Sequence, residues 1–156
     1  MVDVSEDKII NIDEYNIPGI IDGKGPIMSV LTDNKSLADF VIPHITIEPS
    51  KLNKELHYDN PMYDFLLIAD EGWMIYDYEH FKEYDEKLPV KGMHGYHSDN
   101  LNMHGIFYAF GPRFKENISI DTFELIHIYP MICDILDIEP YSEIDGKLEI
   151  LKSIVK

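Results

Sequence analysis

Cysteine is nearly absent: Cys133 is the single one among 156 residues, which excludes an internal disulfide and any zinc site built on paired thiolates. Its neighbours Ile132, Ile135 and Leu136 predict a small buried hydrophobe. Positive charge is also scarce. With 13 Lys and Arg against 29 Asp and Glu the formal net charge is -16, a field that repels a phosphate backbone and argues against a nucleic-acid polymer as partner. The acids are spread along the chain, as on a solvated surface, and a small phosphorylated substrate held by metal remains allowed. No apolar run reaches the roughly 20 residues of a membrane-spanning helix. The opening Met1-Val2-Asp3-Val4-Ser5-Glu6-Asp7 lacks the basic flank and apolar segment of a secretory signal, so the expectation is no transmembrane segment and no signal, with location unknown. Neither a phosphate loop of the triphosphatase type, nor a serine nucleophile elbow, nor a Cys-x-x-Cys pair is present.

What the chain does have is apolar material, 45% of its residues, enough for one domain with a real core. Ile9 to Ile12 read as a strand running into the Pro18-Gly19 break, and Ile27 to Thr32 as a second strand after Asp22-Gly23-Lys24-Gly25-Pro26. Asp33 or Asn34 can cap a short helix reaching Asp39. Pro43 and Pro49 bracket a strand over His44 to Ile47, while Ser50 to His57 is a polar connection without a clear period. An uninterrupted apolar run between Asp64 and Asp70 predicts a strand covered on both faces. Asp77 to Leu88 mixes charges and aromatics and reads as a surface excursion. Gly105 to Phe110 predicts another buried strand, stopped at Gly111-Pro112. Ile128, Met131, Ile132, Ile135 and Leu136 share a helix face, with the helix starting just before Pro130. Lys147 to Lys156 either forms a short helix or frays. This succession predicts an α/β architecture with buried sheet strands and flanking helices.

The segment Lys91-Gly92-Met93-His94-Gly95-Tyr96-His97-Ser98-Asp99-Asn100 carries the strongest chemical signal. Glycines around Met93-His94 let the backbone bend tightly and aim a neutral imidazole at a metal ion. The plainer reading is an ordinary polar loop histidine. Asp99 and Asn100 either fix the loop by turn-like hydrogen bonds or stand behind the metal ligand. His97 and His104 are not expected to ligate together. Asp70 ends the apolar strand; it either orients a ligand or a metal-bound histidine, or closes the turn while Trp73 packs over the sheet edge. Trp73 and Tyr76 are candidates for the substrate side, although Tyr76, Tyr78, Phe81 and Tyr84 suit packing equally well.

Val2-Asp3-Val4-Ser5, the stretch Ile9 to Tyr15, Phe65 to Trp73, Gly92-Met93-His94-Gly95-Tyr96, Ala109 to Lys115, Ile128 to Leu136 and Asp145-Gly146 also form an ordered set. Through them the chain resembles the carboxyl-terminal part of the nucleotide pyrophosphatase/phosphodiesterase family, the type I phosphodiesterases of the alkaline phosphatase superfamily. The resemblance implies a partial alkaline-phosphatase-like fold. Residues 1–156 would be the carboxyl-terminal part of a phosphodiesterase-like catalytic domain, lacking its amino-terminal catalytic segment. It further implies a centre of two zinc ions at which a threonine attacks phosphorus. His94 matches the late histidine ligand, and no catalytic residue falls in this chain. Met1 matches the methionine that follows an Asp-His ligand pair, and Thr32, Thr46 and Thr122 stand in the wrong context for the nucleophile.

The implied partners are the missing amino-terminal part of the same enzyme or a complementary chain, and a small phosphorylated substrate. Apolar surface left uncovered along Phe65 to Ile68 and Ile106 to Phe110 would favour self-association. The family allows an extracellular or periplasmic location. The leading expectation is part of a zinc-dependent hydrolase of nucleotide pyrophosphate or phosphodiester bonds. Because a catalytic zinc takes three protein ligands, this chain alone is expected to be inactive. A noncatalytic structural or interaction module and another phosphate- or sulfate-ester hydrolase of the superfamily are the alternatives.

Overall fold

A computed structural model describes residues 2–50, 60–85 and 92–156. The chain divides into two compact units, Met1–Gly105 and Ile106–Lys156.

In the first unit β1 (Ile9–Asn11), β2 (Ile20–Gly23), β3 (Ile27–Leu31), β4 (Ile45–Pro49), β5 (Phe65–Ala69) and β6 (Met74–Tyr76) follow in chain order. An antiparallel sheet runs β2-β3-β5-β4, and β1 pairs in parallel with β6, Ile9 opposite Met74. All five residues of β5 are buried, which is why that segment shows no alternation: it lies between two strands and is covered on both faces. The expectation of uncovered apolar surface along Phe65 to Ile68 is therefore corrected. β3 does alternate, turning Met28 and Val30 into a core shared with Ile12, Leu37, Leu67 and Ile75. β2 was not expected from sequence, because it is a largely exposed edge strand with no inward apolar set. Leu37 is delivered by a 3₁₀ helix, Lys35–Asp39, and Asn34 is its cap, accepting the Ser36 N–H at 3.0 Å. Of the connection expected at Ser50 to His57, residues 51–57 lie outside the described residues.

Of the surface excursion expected over Asp77 to Leu88, Tyr78–Asp85 is a helix, α1, and residues 86–88 lie outside the described residues. Asp77 starts it: Oδ1 accepts the His80 backbone N–H at 2.8 Å, and both carboxylate oxygens lie 2.9 Å from His80 Nδ1. Burial pushes the Asp77 carboxyl up, but the His80 backbone and imidazole hydrogen bonds outweigh it, leaving the pKa below the ordinary aspartate value. Asp77→Ala is expected to cost about 1 kcal/mol, the usual worth of a cap. Since the folded pKa is depressed, that contribution is present above the ordinary aspartate range and disappears as pH falls through the folded value. Urea melts of both proteins across acidic pH check this, and a difference that grows on acidification refutes it.

In the second unit α2 (Ile128–Ile135) and α3 (Leu148–Leu151) pack together, and a 3₁₀ turn, Lys152–Ile154, follows. Met131, Leu151, Ile154 and Val155 are buried against Phe114, Phe123 and Leu148. Pro130 sits in the first turn of α2, where its missing N–H costs nothing. Cys133 is buried with a free thiol, as its neighbours predict. Buried His127 accepts the Lys147 N–H at 3.1 Å, joining the start of α2 to the start of α3. The buried strand expected at Gly105 to Phe110 is absent: the segment belongs to no strand, and Ile106, Tyr108 and Phe110 are 100%, 82% and 82% exposed. A strand needs a ladder to join, and among the described residues none pairs with this segment.

Candidate functional site

His94 is presented by a short loop pinned on both sides. Before it, Met93 forms an antiparallel bridge with Val2, the two N–H···O distances being 2.9 and 2.8 Å. After it, Gly95 has φ of +89°, a conformation that a side chain resists. Tyr96 then drops its ring between Val4, Met74 and Tyr76, 6% exposed. The His94 side chain is left exposed, and no described residue hydrogen-bonds it.

The residues that follow hold the loop's shape. The Asp99 N–H donates to His97 Nδ1 at 3.3 Å, and the Asp99 carboxylate lies 3.5 Å from the same nitrogen. Asn100 caps a 3₁₀ turn, Leu101–Met103, by accepting the Asn102 N–H at 2.9 Å. His104 Nε2 bonds to the Ser98 carbonyl at 3.0 Å. Asn102 in turn donates to Glu71 Oε1 at 2.5 Å, fastening this loop to the turn after β5. Asp99 and Asn100 thus make the turn-like bonds that their residue types favour.

Tyr96 is the anchor with a flaw. Its hydroxyl is buried without a hydrogen-bond partner among the described residues. Burial pushes the phenol pKa up; the Gly72 backbone, short of hydrogen-bond geometry, opposes this, and the Glu71 charge adds to it. Removing an unsatisfied buried hydroxyl relieves its desolvation cost, so Tyr96→Phe is expected to keep or raise stability by up to about 1 kcal/mol. A measured loss of that size would instead reveal a partner for the hydroxyl.

Asp70 turns to a different histidine from the one considered above. Ile45 pairs with Ala69 across β4 and β5, which sets His44 opposite Asp70. The Asp70 N–H donates to the His44 carbonyl at 2.9 Å, and Asp70 Oδ2 lies 3.1 Å from His44 Nδ1. The His44 ring stacks on Trp73 with centroids 3.8 Å apart and 9° between planes. His44 takes φ of +63°, a cost for a residue with a Cβ that the hydrogen bond to Asp70 and the stack on Trp73 offset. Together with Asn11, Glu14, Tyr15 and Tyr78, His44 and Trp73 line an open pocket of about 470 Å³. Tyr76 is buried in the core beside Tyr96. Sequence reasoning missed His44; the signal was its place beside Pro43 at the head of β4, readable only once the register was known. Among the described residues no group of three His, Cys, Asp or Glu side chains could hold a metal ion.

No family model matches this sequence. The bis(5'-adenosyl)-triphosphatase enpp4 of Xenopus laevis is 32% identical over 149 residues, 88% of this chain and 31% of that protein. Human ectonucleotide pyrophosphatase/phosphodiesterase family member 5 is 27% identical over 150 residues, 88% of this chain and 30% of that protein. The solved structure of human ectonucleotide pyrophosphatase/phosphodiesterase 5 superposes with a TM-score of 0.78 at 23% identity, covering 99% of this chain and 42% of that one. The chain therefore spans about a third of the length of these curated relatives. It is a relative of the ectonucleotide pyrophosphatase/phosphodiesterases, matching the carboxyl-terminal part of that family and adopting part of its alkaline-phosphatase-like fold.

Proposed function

We propose that this chain is the carboxyl-terminal part of a zinc-dependent hydrolase of nucleotide pyrophosphate or phosphodiester bonds, in which His94 is one ligand of one of two zinc ions. The observation that carries this reading is the exposed imidazole, without a partner among the described residues, on a loop pinned at Met93 and Tyr96, in a relative of that family. The frog relative's name describes cleavage of a bis-adenosyl triphosphate, which favours a nucleotide pyrophosphate as the substrate class.

The described residues fit only one corner of a zinc centre. A catalytic zinc takes three protein ligands and an open position, whereas His94 belongs to no group of three potential metal-binding side chains among the described residues. No chemical step is assigned to this chain. The remaining ligands and the nucleophile would come from the amino-terminal part of the fold, in the same polypeptide or in another, and the 156-residue chain by itself is inactive.

The test compares the 156-residue chain with the same chain joined behind the amino-terminal part of the Xenopus relative, both stripped of metal and then given zinc. The expected result is zinc-restored turnover of an aryl phosphodiester by the joined protein only. Turnover by the shorter chain rejects its inactivity. A folded joined protein that binds no zinc points to the noncatalytic module.

A further inference from the structure

We propose that residues 106–110 are a strand that forms only by adding to a sheet edge in the amino-terminal part of this fold. The inference rests on the reading of the chain as one part of a hydrolase and names how the other part docks. The pattern is that of a strand. Ile106, Tyr108 and Phe110 share one face and are almost wholly bare, whereas Phe107 on the other face meets Phe123 edge-on, with centroids 5.0 Å apart, and Ala109 is partly covered. One face is thus already packed within its own unit. Among the described residues no backbone hydrogen bond engages Ile106 to Phe110. Gly105 and Gly111 bound the segment, and Gly111 at φ +136° lets the chain turn away at its end.

Three large apolar side chains at alternate positions, beside main-chain groups that bond to none of the described residues, are what an edge strand leaves ready for pairing. The occupant follows from coverage and charge. Nearly all of this chain, 99%, superposes on only 42% of the solved relative, so most of that fold has no counterpart here. A second copy is the poorer candidate, because it would bring another net charge of -16 against the first.

Hydrogen exchange read by mass spectrometry on peptides spanning residues 105–111 tests this, in the 156-residue chain and in the joined protein described above. In the joined protein these amides are expected to exchange at least about 100-fold more slowly than in the shorter chain. Proline lacks the donor, and adjacent strand amides point to opposite edges. Of Tyr108→Pro and Ala109→Pro, at least one should restore fast exchange in the joined protein. Equal exchange in both proteins overturns the proposal, and so does a shorter chain that is already dimeric with these amides protected. Slow exchange in a joined protein that neither binds zinc nor turns over substrate would leave the strand in place and remove the hydrolase reading. Zinc-dependent turnover with fast exchange would do the reverse.

Discussion

If His94 is the zinc ligand proposed above, replacing it with alanine in the joined protein is expected to lower zinc affinity and phosphodiester turnover by more than about 100-fold, because changing a group that merely supports a metal ligand already costs roughly 10- to 100-fold. Stability of the metal-free protein stays the same. The imidazole is exposed and unbonded among the described residues, and surface changes of that kind shift stability by less than about 0.5 kcal/mol. The neighbouring histidines supply the controls. His97 is held by Asp99 and His104 by the Ser98 carbonyl, so both serve the loop. His97→Ala and His104→Ala are expected to retain zinc affinity within a few-fold while His94→Ala loses it. Zinc titration with a competing chelator, beside thermal melts of the metal-free proteins, separates the outcomes. Undiminished zinc affinity in His94→Ala removes the residue from the centre.

The parts of the fold that could be read from sequence are those whose packing leaves a local imprint. β5 announces itself because burial on both faces demands apolar residues throughout. α2 does so through its three- and four-residue spacing and through Pro130 in its first turn, though Ile132 and Leu136 end up exposed. α1 escaped notice because its start depends on one capping carboxylate, Asp77, and not on an apolar face. Ile106 to Phe110 misled for the opposite reason: its composition is that of a strand, but a strand exists only where another supplies the ladder. The site divides in the same way. His94 stands out as a candidate because glycines lie on either side of Met93-His94 in sequence, and Gly95 takes positive φ. The His44–Asp70 pair joins residues 26 apart and comes from strand register, which residue types alone do not reveal.

That dependence on β5 gives the second large effect. Leu67 is 0% exposed at the centre of the strand, opposite Met28 of β3 and Ile47 of β4, so truncating it leaves a void that neighbours on both sides must fill. Leu67→Ala is expected to cost about 2–5 kcal/mol, as buried leucines do. Whole-protein stabilities are commonly only about 5–15 kcal/mol. The consequence reaches the loop that holds His94. The turn after β5 carries Glu71, which receives the Asn102 amide, and Gly72 at φ +83° in front of β6, against which Tyr96 packs. Loss of β5 therefore removes the platform under the loop as well as the sheet. Ile20, 65% exposed on the edge strand β2, is the matched control, and Ile20→Ala should shift stability by no more than about 0.5 kcal/mol. In urea melts the Leu67 variant should show a lower midpoint at unchanged slope. Near-native stability in that variant would mean that β5 is not the centre of this unit.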